Sequence, residues 1–230
     1  MTASRSVCYD QSSKHPFIIS KILKMAFMLS LDELGYQIRN CINCSLSQTR
    51  SNAVPGEGST RADLVFIGEG PGFYEDRDGR PFVGQAGKLL DELLASISLK
   101  REDVYITNMV KCRPPNNRDP LPVEIESCRP FLDQQIQMID PKILVTLGRH
   151  SFTKFFPGEA ISKARGKPRP WNQRLLYPMY HPAAALHNPK LRPLLEDDFN
   201  RLPSIVEAIV DIDASKVEPD DEIRQLGLFE

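Results

Sequence analysis

The chain has 230 residues, 41% of them hydrophobic and 26% charged, enough for one well-filled core with tails and too apolar for a disordered or fibrous class. No run approaches the 18 apolar residues of a membrane-spanning helix, so such a helix is excluded. The net charge of −1 hides an asymmetry: residues 211–230 carry seven acids and two bases, leaving +4 to the first 210 residues.

Residues 1–31 read as an N-terminal extension. The segment 15–29 is apolar with interspersed lysines, yet it lacks the basic region, apolar core and small-residue cleavage site of a signal peptide. Met25 and Met28 are alternative starts, and Cys8 in this segment is read as a bystander. The body then alternates. Residues 62–68 (ADLVFIG) read as a buried strand, and 85–98 as a helix with Leu89, Leu90, Leu93, Leu94 and Ile97 on one face. Residues 103–107 (DVYIT) read as a strand, 124–140 as a helix stopped by Pro141, 142–148 (KILVTLG) as a strand and 149–156 as a helix. A strand over 174–180 and a last helix over 191–210 complete the series. Strand–helix alternation predicts an α/β fold with a parallel sheet covered on both faces, and ligands then bind beyond the carboxyl ends of the strands. The loops 68–87, 108–122 and 181–189 all follow strands and should gather at that edge.

Four cysteines form a pattern, Cys41-x2-Cys44 followed by the distant Cys112 and Cys128. An x2 pair puts two thiolates on one tight turn, and two further cysteines complete four ligands. Spacing alone leaves zinc, an iron–sulfur cluster and ordinary buried thiols all open. Nothing suggests the secretion that would favour disulfides. In the strand-end loops, Gly68-Glu69-Gly70-Pro71-Gly72 allows close backbone approach to a flat ligand but lacks the spacing of a Walker or dinucleotide loop. Glu69, Glu75 and Asp76 add carboxylates there. Phe82 lies in a proline–glycine loop, as a core residue or a stacking face for a base. Asn108 offers a donor and an acceptor at a strand end, and His181-Pro182 closes another. The stretch 149–174 holds seven bases against Glu159, compatible with a polyanionic partner.

Together these pieces resemble the family 4, iron–sulfur-containing uracil-DNA glycosylases. The matching motifs are Cys41-x2-Cys44, GEGPGFYED (68–76), GRPFVGQAGKLL (79–90), YITNMVKCRPPNNRDP (105–120), Cys128, VTLG (145–148) and HPAAAL (181–186), in consistent order across residues 32–210. The resemblance implies a three-layer α/β/α domain over 32–210, with a central, mostly parallel, four-stranded sheet. It implies a 4Fe-4S cluster on Cys41, Cys44, Cys112 and Cys128, in a structural role. It implies a monomeric base-excision repair enzyme that flips uracil from single- or double-stranded DNA and hydrolyses its N-glycosidic bond, in the cytoplasm of a bacterium and associated with its nucleoid. It also assigns the pocket. Phe82 would stack on uracil, Asn108 would read its N3/O4 edge, and His181 would bond O2 and stabilise the leaving anion. Glu69 and Gly70 would line the pocket, with the Glu69 carboxylate near the sugar or water, and Glu75 or the turn around it would exclude the thymine methyl. Leu186 would hold the gap left by the flipped base. Arg113, Lys163, Arg165 and Lys167, with Lys111 and Arg118, would grip phosphates. The chain departs from the commoner family loop at Phe73-Tyr74, where acidic residues are usual. A covalently trapping relative uses a histidine in an insertion after the third cysteine; residues 113–118 have neither histidine nor insertion. The alternatives are a uracil-DNA binder of the same fold with weak or trapping activity, and a non-enzymatic, cysteine-ligated nucleic-acid module.

Residues 211–230 read as an acidic disordered tail ending in QLGLF. That end resembles the bacterial sliding-clamp-binding pentapeptide, which would place Gln225 at a pocket rim and Leu228 and Phe229 in its apolar cleft, with Leu226 also in the motif.

Overall fold

A computed structural model describes residues 30–216 of the chain. The extension before residue 30, with Cys8, Met25 and Met28, and the tail after 216, with Gln225, Leu226, Leu228 and Phe229, lie outside the described residues.

Helix α1 (Leu31–Arg39) leads into the cysteine pair. Six strands follow among the described residues: β1 (Glu57–Gly58), β2 (Leu64–Gly68), β3 (Tyr105–Asn108), β4 (Ile143–Leu147), β5 (Arg169–Trp171) and β6 (Arg174–Met179). They form one sheet in the order β1-β3-β2-β4-β6-β5. The four central strands are parallel, as expected. The expected count of four is corrected to six by two short antiparallel edges. The β5–β6 edge escaped sequence reading because its two-residue turn is Asn172-Gln173. Both residues take positive φ (43° and 63°), a hairpin geometry normally signalled by glycine.

The strands are buried on both faces, so their side chains split by alternation. Leu64, Phe66, Ile106, Val145 and Tyr177 pack under α3 (Gln85–Ser96), α8 (Arg192–Asn200) and α9 (Leu202–Lys216). Val65, Ile67, Tyr105 and Leu144 pack under α4 (Pro122–Ile139). The result is the expected three layers. The C-terminal helix differs most from expectation. The last helix is broken at Arg201, because Pro203 has no N–H for the carbonyl four residues back and instead starts α9. Helix α9 also runs on to Lys216, so the tail read as beginning at 211 is helical for its first six positions.

Parallel register brings Gly68, Asn108, Leu147 and Met179 to one sheet edge. The segments leaving that edge are not bare loops. They contain α2 (Phe73–Asp78), α5 (Arg149–Phe155), α6 (Ile161–Ala164) and α7 (Pro182–His187).

Candidate active site

The site is built around Gly68, the last residue of β2. A methyl group here would overlap Asn108 Oδ1 and come within 2.9 Å of Phe82 Cζ. Asn108, 1% exposed, ends the neighbouring strand, and its Nδ2 is buried with no hydrogen-bond partner among the described residues. Phe82, 4% exposed, has φ 52°, strained for an aromatic residue, so its surroundings must hold it. The Glu75 carboxylate does so: one oxygen accepts from the Phe82 N–H, the other from Gly72 N–H at 2.6 Å. Arg101 completes the clamp, donating to Pro81 O at 2.5 Å and Phe82 O at 3.2 Å. Burial pushes the Glu75 pKa up, while both N–H groups, the nearby Asn108 amide and Arg101 oppose that shift. Glu75→Gln should therefore lower stability in urea by about 1–3 kcal/mol, the cost of losing a charge-assisted bond at a buried N–H.

His181 caps α7 and stacks on Phe82, ring centroids 5.4 Å apart and 22° from parallel. Its Nδ1 accepts from Ala183 N–H at 3.1 Å, which puts the proton of the neutral ring on Nε2. Burial pulls its pKa down to about 4, so at neutral pH it is an uncharged donor. Gly148, with φ 95°, passes beneath it: a methyl there would come within 3.1 Å of His181 Cβ.

Glu69, Gly70, Gly72, His181 and Ala183 line a cavity of about 260 Å³ at this edge. Burial raises the Glu69 pKa, and Asp119 pushes the same way against His150 and Arg149. His150 Nε2 lies 3.8 Å from Glu69 and 3.2 Å from Asp119. Sequence reading did not single out His150. Its signal was available, since Gly148-Arg149-His150 follows β4 at the edge where the other loops gather. A larger cleft of about 720 Å³ lies elsewhere, along α4 and α5, and holds none of these groups except His150.

Cys41, Cys44, Cys112 and Cys128 share one small cavity with Ile38 and Lys111. All four are free thiols. Burial raises the Cys112 pKa and takes Cys128 to about 11, and neighbouring cysteine sulfurs add to both shifts. Bare thiolates are disfavoured here, and a bound cation would reverse that. Three N–H groups already point at sulfur: Arg50 Nη1 to Cys112 (2.9 Å), Lys111 N to Cys128 (3.2 Å) and Asn43 N to Cys41 (3.4 Å). Four cysteine sulfurs around one cavity suit zinc or an iron–sulfur cluster alike.

The expected phosphate contacts divide. Lys163 and Lys167 are exposed. Arg165 is committed to buried Asp198 at 3.0 Å. Arg118 is bidentate on Glu124, which is buried and caps α4. Lys111 is corrected outright: at 1% exposure it cannot meet a phosphate. Its Nζ donates to Thr107 Oγ1 (2.6 Å), Asn108 O (2.8 Å) and Gln135 Oε1 (2.6 Å), and burial pulls its pKa down to about 7. Arg113 stacks on Phe73, and Leu186 is 45% exposed on α7.

The uracil DNA glycosylase superfamily model matches residues 55–202. The chain is 52% identical over 185 residues to a Type-4 uracil-DNA glycosylase of Sulfurisphaera tokodaii, covering 76% of this chain and 84% of that protein. It is 47% identical to one from Archaeoglobus fulgidus (76% and 92% covered) and 44% identical to one from Thermotoga maritima (76% and 94%).

Proposed function

The chain belongs to the uracil DNA glycosylase superfamily, and on that premise we propose that it is a monofunctional glycosylase that releases uracil from DNA and leaves an abasic site for excision repair. The observation that carries the site assignment is the neutral His181, its Nδ1 occupied and its Nε2 free to donate, on the cavity that Glu69 also lines. Water adds to C1′ as the C1′–N1 bond breaks, and the electron pair leaves on uracil. His181 Nε2–H stabilises the charge growing on O2 without giving up its proton. The Glu69 carboxylate sits near the cationic sugar and accepts the proton of the water. Phe82 stacks the flipped base. The buried amide of Asn108 bonds the N3/O4 edge, where cytosine would present a donor against a donor. Glu75 acts on thymine through the turn that it ties down.

Cys41, Cys44, Cys112 and Cys128 would hold a 4Fe-4S cluster, which supplies a cross-link between three distant segments when bound. We also assign phosphate contacts to Arg113, Lys163 and Lys167, a monomeric state in solution, and sliding-clamp docking to Gln225, Leu226, Leu228 and Phe229. Removing residues 225–230 should abolish retention on an immobilised bacterial clamp; equal retention would refute that role.

The test of the reaction is a labelled oligonucleotide with one uracil, treated with anaerobically purified protein and then alkali. Scission only after alkali is expected; an intact strand from protein with a filled cluster favours the binding-only alternative. The pH profile adds a second check. The folded-state pKa of His181 lies below the ordinary value of about 6.5, so the ring gains its proton only in acid. The single-turnover rate should show no His181 step between pH 8 and about 6, and should fall as pH approaches 4.

A further inference from the structure

Two of the three segments that line the cavity lead on to exposed apolar side chains. One is α7, carrying Ala183 and the exposed Leu186. The other begins at Gly72 and continues into Phe73 and Tyr74 at the start of α2. Both rings are half exposed (54% and 51%), and they meet edge to face with centroids 5.4 Å apart. Isolated surface aromatics need no explanation, but these two are braced. The Arg113 guanidinium lies 5.2 Å from the Phe73 centroid, and its Nε donates at 2.7 Å to Oδ1 of Asn117, which lines the cavity. The Arg77 guanidinium lies 5.2 Å from the Tyr74 centroid. The ledge is also tied to the buried pocket, since the Glu75 carboxylate that holds Gly72 N–H holds Phe82 N–H as well. Rigid aromatic faces flanked by cations suit stacked bases on a phosphate chain.

We propose that Phe73 and Tyr74 form a stacking ledge for an unpaired base next to the flipped uracil, with Arg113 answering the adjacent phosphate, while Arg77 braces Tyr74 and stays paired with Asp78. This rests on the uracil-DNA reading and gives it a determinant: strand separation around the lesion should favour binding. Arg113 thereby acts as a brace as well as a phosphate contact.

The test uses the full-length, iron-loaded protein and two single-stranded oligonucleotides. One has ordinary bases flanking a single uracil, and the other has abasic spacers at both flanks. Phe73→Ala/Tyr74→Ala should lower kcat/KM on the first by about 5- to 150-fold, the range for losing a stacked base. On the spacer strand, variant and wild type should differ less than twofold. Phe73→Trp should retain the wild-type value on both. Because both side chains are half exposed, the double variant should unfold with the wild-type midpoint. Fluorescence anisotropy on the same strands reads the ledge whether or not uracil leaves. Failure of uracil release by the wild type therefore counts against the reaction, while the binding difference still tests the ledge. An equal loss on both strands, or no loss on either, overturns the proposal.

Discussion

His181→Ala is expected to slow single-turnover uracil release by about 10²- to 10³-fold, the usual cost of removing one preorganised donor to a developing oxyanion. The geometry explains why the effect should fall on the chemical step. With Nδ1 occupied by Ala183 N–H and the pKa near 4, the ring stays neutral and enters the transition state as a fixed dipole. It need not lose water or choose a tautomer at the moment of reaction. Its structural roles are the cap of α7 and the stack on Phe82, so the substitution should also cost about 1–2 kcal/mol of stability. Single-turnover rates at saturating protein separate the two, because a merely destabilised protein that is still folded would keep its rate constant. A variant with the wild-type constant would remove His181 from the reaction.

Gly68→Ala is expected to have an effect as large, from a single methyl group. The added carbon would overlap Asn108 Oδ1 and crowd the Phe82 ring. Neither can retreat cheaply. Gly68 is held in register with Asn108 by the β2–β3 ladder, and Phe82 is fixed through Glu75 and Arg101. Overpacking of this kind costs about 1–3 kcal/mol of stability. Its larger consequence is displacement of both the base-reading amide and the stacking ring, with uracil release falling at least about 10²-fold on the view that ångström misplacements cost that much. Gly35→Ala is the control: it lies within α1 and meets only the flexible end of Arg39 at 3.5 Å, so activity should be unchanged and stability equal or slightly higher. Uracil release and urea midpoints of the three proteins check this directly. Full activity in Gly68→Ala would mean that Asn108 and Phe82 tolerate movement.

Much of this was legible in the sequence. Strands with near-continuous apolar runs, such as residues 143–147, can only be buried on both faces, and that fixes a parallel sheet and the edge where its loops collect. The motifs carried the site residues because they lie within a few positions of strand ends. What was not legible depends on partners far away in the chain. Lys111 reads as one more surface base until Gln135 and Thr107 are brought around its ammonium. Arg118 and Arg165 read as phosphate ligands until Glu124 and Asp198 claim them. Helix α2 is too short to show a period, and Glu75 looks like a loop carboxylate until the chain folds back to present Phe82 N–H.

The parallel sheet also governs how such a protein can change over generations. Every group assigned to the base lies at, or a few residues beyond, the carboxyl end of a central strand or in a segment that leaves it, while the strands themselves carry the core. Mutations in the outgoing segments can alter which damaged base is accepted while leaving the apolar interior intact. Mutations within the strands forfeit stability first and so are removed before any new preference can be tried. The fold thus divides the chain into a frame that tolerates little change and a margin that tolerates more. Phe73 and Tyr74, at the start of α2, sit in that margin.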